Sequence, residues 1–229
     1  MNIAALMPVK GFRHAKQRLT PLLNSGAREL FAESMFRDVL LQVRAARGLA
    51  ETFVVTGDDK VAAIAAKAGA EVIREPAENG ETAAVDLARL EMKNAGCEAV
   101  LILPGDMPLV RAADIEEVVA QVSGGATAPF ALLVPSHDRK GTNALLLAPP
   151  DIIRLRFGYD SFTFHINQVA AQGLLIRFIE NEHIALDIDE PADLKRFLTY
   201  GYEGGESTRL ARRLLAEEDA PGNRRSGNL

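Results

Sequence analysis

Cysteine is nearly missing from this chain: Cys97 stands alone among 229 residues. That excludes a disulfide framework and a cysteine-built zinc site, and it leads us to expect a reducing, cytoplasmic setting. Long apolar runs are missing too. None approaches the roughly 18 residues of a membrane span. No basic stretch precedes Ile3-Ala4-Ala5-Leu6-Met7. Neither a membrane partner nor a signal peptide is therefore expected. Positive charge is not in excess. A formal net charge of -5 argues against nucleic acid as a partner. The four histidines are scattered, with no His-Glu-x-x-His pattern. Three glycine motifs are lacking as well. Without Gly-x-Gly-x-x-Gly or Gly-x-x-x-x-Gly-Lys-[Ser/Thr], neither a dinucleotide-binding dehydrogenase nor a P-loop NTPase fits. Without Gly-x-Ser-x-Gly, an α/β-hydrolase does not fit either.

What is there is an ordinary globular composition, 48% hydrophobic and 25% charged, long enough for one large α/β domain. Ala99-Val100-Leu101-Ile102-Leu103 is an unbroken apolar run that stops at Pro104-Gly105-Asp106. Such a run reads as a strand buried on both faces, in the middle of a parallel sheet. Ligands of open α/β sheets bind beyond the carboxyl ends of the strands. Asp106 falls there, placed either to hold a divalent metal or to serve as a turn or capping carboxylate.

Around this strand the chain alternates. Apolar runs at 3–7, 52–56 and 70–73 read as strands, and spacings of three and four predict helices over 26–47, 59–68, 82–95 and 112–122. Ser25 or Asn24 is expected to cap the first helix. Runs at 130–135 and 144–148 predict a strand-rich, hairpin-like excursion around the polar turn 136–143. Its apolar positions serve equally as core or as a homodimer face. Further strands are expected at 174–178 and 185–189, then a helix opened by Glu190-Pro191. Residues 203–229 change to Gly, Glu, Arg, Ser and Asn, and read as a C-terminal appendage with a helical patch at 207–217 and a disordered end. The whole predicts a three-layer α/β domain over 1–202 with a mainly parallel central sheet and a small strand-rich insertion.

Several polar groups fall at strand ends. After Pro8 comes a loop with five basic or potentially basic positions, Lys10, Arg13, His14, Lys16 and Arg18. A positive loop there suits a polyphosphate, although a merely solvated loop has the same composition. Lys16 and Arg18 share one side if the segment is extended. Thr56 ends the second strand, where a base or ribose is in reach. Gly80 allows close backbone approach to a ligand, or is a plain turn glycine. Gly158 and Ser161 precede a helix and can form an anion pocket, with Ser161 alternatively its N-cap. One of Asp187 and Asp189 can join Asp106 on a metal, leaving the other as an N-cap. A basic loop facing two strand-end carboxylates is the equipment of phosphoryl or nucleotidyl transfer. No side-chain nucleophile is needed if a substrate phosphate attacks.

At this level the chain resembles one family. The segments are Pro8-Val9-Lys10, Ala15-Lys16-Gln17-Arg18-Leu19, Gly105-Asp106-Met107-Pro108-Leu109 and Gly141-Thr142-Asn143-Ala144-Leu145. To these add Phe157-Gly158-x-x-Ser161-Phe162 with His165, and Asp187-Ile188-Asp189-Glu190-Pro191-x-Asp193-Leu194. In this order, across about residues 3–198, they are similar to the guanylyltransferases of deazaflavin coenzyme F-420 biosynthesis. Those enzymes join GMP from GTP to 2-phospho-L-lactate, phosphoenolpyruvate or 3-phospho-D-glycerate. The resemblance implies a Rossmann-like nucleotidyltransferase fold and Mg²⁺ on Asp106 with Asp187 or Asp189. It implies Lys10, Lys16 and Arg18 on the triphosphate, and Thr142, Asn143, Gly158 and Ser161 on the phospho-acid. It places the nucleotide near Pro8, Thr56, Pro76, Gly80 and Gly105. Gly80-Glu81-Thr82 departs from the family's Gly-Leu-Asn, and Tyr159-Asp160 stands where smaller residues are common. Another nucleotidyltransferase, of molybdopterin or phosphosugar type, and an inactive nucleotide-binding module are the rival readings.

Overall fold

The computed structural model describes residues 1–77, 79–123, 128–202 and 204–219. Strands β1 (Ile3–Pro8), β2 (Glu51–Thr56), β3 (Glu71–Arg74) and β4 (Ala99–Ile102) alternate with helices α1 (Ser25–Ala45), α2 (Asp59–Lys67) and α3 (Glu81–Asn94). Then follow α4 (Ala112–Ser123), β5 (Phe130–Pro135), β6 (Thr142–Ala148), α5 (Ser161–Ala171), β7 (Arg177–Phe178), α6 (Pro191–Thr199) and α7 (Glu206–Asp219). Among the described residues, seven strands form one sheet in the order β3-β2-β1-β4-β6-β5-β7. Only β6 runs against the others, pairing antiparallel with both β4 and β5.

Alternation along the central strands builds the layers. Met7 and Leu101 face a core shared with Phe36 and Val39 of α1, Val61 of α2 and Ile115 of α4. Their neighbours Leu6 and Val100 face the opposite core, with Val85 and Met92 of α3 and Val169 of α5. Every residue of β4 is buried, as its unbroken apolar run requires. Caps fall where turn chemistry puts them: Asn24 Oδ1 accepts from the Ala27 amide and Asp58 from that of Val61.

Four expectations change. The β5–β6 pair is the expected hairpin, but through β6 it continues the main sheet beside β4. All of its residues are buried, so its apolar positions are core. The strand expected at 174–178 shrinks to Arg177–Phe178, paired only with Leu132 and Leu133 at the sheet edge, and Leu175 is 72% exposed. Residues 185–189 form no strand. Leu186 and Ile188 are buried, but the backbone is tied by single bonds, His137 N–H to Ala185 and Ile188 N–H to the Asp106 carbonyl. Burial without a neighbouring ladder accounts for the strand-like sequence. The helical patch expected at 207–217 is α7, and it packs on the domain: its buried Ala211 joins Phe31 and Met35 of α1 and Phe197 of α6 in a third apolar cluster. The expected disordered end at 220–229 lies outside the described residues.

Candidate active site

A cleft of about 1000 Å³ opens over the carboxyl ends of β1 and β4. The loop after β1 forms one wall. It is not extended: two 3-10 turns, Phe12–His14 and Gln17–Leu19, flank Lys16, whose φ of 53° is left-handed. Buried Phe12, 6.0 Å from the Phe36 ring, and buried Leu19 pin the loop to α1. A Cβ on Gly11 would lie 2.5 Å from Asp58 Oδ2, so a larger residue there would have to push the Asp58 carboxylate aside. So held, Lys10, Arg13, His14, Lys16 and Arg18 all line the cleft, together with Pro8 and Gly105.

Opposite them stand the carboxylates. Lys16 Nζ donates to Asp106 Oδ2 at 2.7 Å and to Asp189 Oδ1 at 2.8 Å. Burial works to lower the lysine's pKa, but the two carboxylates overcome it and hold the ammonium firmly protonated. Burial likewise works to raise Asp189, and Lys16, helped by Arg18, keeps it below the ordinary carboxylate value. Asp187 is different. Burial, then repulsion from Asp106, push it up to about 6, against a hydrogen bond from Asn143 Nδ2 at 3.0 Å. Neither aspartate is an N-cap. The cap of α6 is Glu190, while Asp193 accepts from the amides of Asp189 and Glu190. That arrangement frees both Asp187 and Asp189 to face the cleft. Asn143, expected on substrate, has its amide nitrogen committed to Ile184 and Asp187 and braces the 184–187 segment.

The far end is built from hydroxyls. Ser161 Oγ accepts the Thr142 amide at 3.0 Å, and Thr142 Oγ1 lies 3.0 Å from His165 Nδ1. Ser161 is therefore not the N-cap of α5. Asp160, left-handed at φ 56°, holds that position without a side-chain bond. Gly158 has φ +98°, which glycine alone adopts without strain, and turns the loop into the cleft. Thr82 Oγ1 accepts the Phe157 amide at 3.0 Å, so this departure from the family pattern ties down the Phe157-Gly158 loop.

The expected base pocket is only partly formed by the residues named for it. Thr56 is fully buried and its hydroxyl accepts from the Asp58 amide. Pro76 is exposed outside the wall, and Gly80 caps α3 at φ 94°. The wall there is Val55, Asp58, Glu75 and Glu81. Burial, then Asp106, push Glu81 up to about 7, against Lys10 and Lys16. Sequence reasoning passed over Glu81 and also Lys140, which lines the cleft from the turn between β5 and β6. The only available signal for Lys140 was the reversed direction of β6, which brings that turn to the working end of the sheet.

A mainly parallel sheet with a cationic loop clasping one carboxylate beyond β4 and another just before α6 defines a nucleotidyltransferase. Solved structures agree on the fold. A nucleotide-diphospho-sugar transferase structure from Desulfovibrio desulfuricans superposes with a TM-score of 0.76 over 95% of this chain and 98% of that one, at 16% identity. A CMP:2-keto-3-deoxy-manno-octonic acid synthetase bound to CTP gives 0.60 over 95% and 100%, at 15% identity. The chain belongs to the family described as guanylyl transferase CofC like, whose sequence model matches residues 3–218. It is 34% identical to a phosphoenolpyruvate guanylyltransferase of Conexibacter woesei, covering 85% of this chain and 86% of that protein. A 2-phospho-L-lactate guanylyltransferase of Methanothermobacter thermautotrophicus is 29% identical, covering 93% and 92%. A 3-phospho-D-glycerate guanylyltransferase of Phenylobacterium zucineum is 33% identical, covering 82% and 86%.

Proposed function

We propose that this guanylyltransferase joins GMP from GTP to a three-carbon phospho-acid (phosphoenolpyruvate, 2-phospho-L-lactate or 3-phospho-D-glycerate) for deazaflavin coenzyme F-420 biosynthesis in the cytoplasm. An oxygen of the acceptor phosphate attacks the α-phosphorus of GTP in line. The bond from that phosphorus to the β-bridging oxygen breaks, and pyrophosphate leaves. Lys10, Lys16 and Arg18 steady the triphosphate and the charge on the departing pyrophosphate. Thr142, Ser161 and the Gly158 turn hold the acid, and Pro8 and Gly105 back the nucleotide. Positioning of the two reactants supplies much of the rate.

The observation that carries this reading is the Lys16 ammonium between Asp106 and Asp189. It marks a point on which two carboxylates of different segments converge to hold positive charge. Among the described residues, no three acidic, histidine or cysteine side chains are gathered as a ready-made metal cluster. Two converging carboxylates still fit Mg²⁺, which takes one or two of them and completes its shell with water and substrate phosphate. Asp106 and Asp189 would hold it, with Asp187 beside them. When bound it supplies charge neutralisation for the phosphates.

The test is pyrophosphate release by the purified protein with GTP and Mg²⁺, each acid offered separately, with ATP and CTP as controls. Release that needs one acid and GTP, and is lost in Asp106→Ala, is the expected result. Silence with all three acids overturns the assignment, and a GTP titration then separates a different acceptor from a binding module.

A further inference from the structure

His165 is fully buried on α5 and lies beneath the acid end of the cleft. Phe157 and Phe164 meet its ring edge-on at 5.6 and 5.8 Å. Its two nitrogens have different partners. Nε2 lies 3.2 Å from the Arg156 backbone nitrogen, and Nδ1 lies 3.0 Å from Thr142 Oγ1. A backbone amide only donates, so Nε2 accepts and carries no proton. Burial, then the Arg156 and Arg89 guanidinia, push the imidazole down to about 4, so the ring is neutral at working pH. A neutral ring without a proton on Nε2 carries it on Nδ1. The Nδ1–H therefore donates to Thr142.

That direction has a consequence for the cleft. With His165 donating to it, the Thr142 hydroxyl keeps its own hydrogen unspent. Ser161 is in the same position, since its oxygen already accepts the Thr142 amide. Both residues line the cleft. The pocket thus offers two hydroxyl donors, and it matches a ligand group that only accepts. A carboxylate or phosphate is such a group; an alcohol or amine is not.

We propose that His165 is a positioning residue for the acceptor: its Nδ1–H, set by the Arg156 amide on Nε2, holds the Thr142 hydroxyl as a donor to an oxyanion of the phospho-acid. The inference rests on the reaction proposed above, and its test separates the two.

The first measurement is long-range ¹H–¹⁵N NMR of the histidine ring in the protein without substrates, assigned through His165→Asn. The expected spectrum is a neutral imidazole protonated on Nδ1. Protonation on Nε2, or a charged ring at pH 7, overturns the proposal whatever the enzyme's substrate. The second is kinetic. Thr142→Val and His165→Phe should each raise KM for the acid about ten- to a hundredfold, the scale of one hydrogen bond to a charged group, with KM for GTP unchanged. The double variant should cost little more than either single one. Asn at 165 places its amide nitrogen where Nδ1 stood and should restore most of the affinity, whereas Gln, reaching the Nε2 position, should not. Additive losses, or equal effects on both substrates, overturn the proposal. Absence of acid-dependent turnover in the unmodified protein strikes the proposed reaction instead and leaves the tautomer measurement standing.

Discussion

Lys16 and Asp106 lie 90 positions apart in sequence and meet at 2.7 Å across the cleft, with Asp189 closing the other side of the same ammonium at 2.8 Å. The lysine side chain is 9% exposed, whereas the two carboxylates are 32% and 47% exposed. The cation is the buried partner, and its carboxylates still reach solvent. A divalent ion held by Asp106 and Asp189, as proposed above, would compete with Lys16 for the same oxygens.

Lys16→Met should therefore have opposite effects on turnover and on metal affinity. Removing the ammonium takes away a phosphate partner, and guanylyl transfer should fall by about 10²–10³. The same change leaves Asp106 and Asp189 uncompensated, so Mg²⁺ alone, without nucleotide, should bind the variant more tightly than the parent. Thermal shifts on titrating Mg²⁺ into both proteins measure this. Equal shifts would show that the lysine does not compete for the metal position.

Glu81 gives the metal-free, nucleotide-free protein a pH dependence of known sign. Burial first, then Asp106 and Asp189, lift its pKa from 4.5 to about 7 in the folded state. Between these values the folded chain holds a proton that the unfolded chain has released. Its contribution to stability is then greatest at low pH and is lost as pH rises through about 7. Glu81→Gln removes that loss. Melting curves at pH 5 and pH 8 should show the variant gaining about 2–4 °C on the parent at the higher pH, the effect of about 1 kcal/mol once solvent screening is allowed for. Parallel curves would refute the assignment.

Most of the sheet was legible because strand runs such as Ala99–Ile102 are continuous and end at turn residues. Of the candidate site residues, Lys10, Lys16, Arg18, Asp106, Thr142, Gly158 and Ser161 all line the cleft. What failed was anything decided by neighbours. Leu186 and Ile188 are buried against α1 and α6 without a ladder, so their apolar spacing imitated a strand. Thr56 sits at a strand end, yet it is fully buried, with its hydroxyl oxygen accepting the Asp58 amide. Glu81 and Lys140 carry no motif, and only the folded chain brings them to the cleft. The helix at 207–217 was legible from Leu210, Leu214 and Leu215; its packing against α1 and α6 was not.

Thr82 stands where a nucleotide contact was in question, and its hydroxyl instead takes the Phe157 amide. Thr82→Val keeps the shape and removes that acceptor. The Phe157-Gly158 turn should loosen, and the acid's KM should rise about fivefold, the scale of one neutral hydrogen bond. KM for GTP should stay where it was. A selective rise in the GTP value would place Thr82 on the nucleotide after all.

The last prediction concerns α7, whose first turn is capped by one carboxylate of α1. Asp38 on α1 accepts from the amides of Glu206 and Ser207 and from the Ser207 hydroxyl. It caps the helix from outside the helix's own sequence. Gly205 makes room for it, since a Cβ there would sit 2.7 Å from Asp38 Oδ2. Asp38→Ala leaves first-turn amides of α7 without their acceptor and should cost about 1–2 kcal/mol, the scale of a lost N-cap. The cleft lies away from this contact, so KM for both substrates should be unchanged. Gly205→Ala should be destabilising as well, because the added carbon pushes on the same carboxylate. If Asp38→Ala melts at the parent temperature, α7 is held by Leu210, Leu214 and Leu215 alone. Truncation before residue 204 would then have to account for its whole contribution.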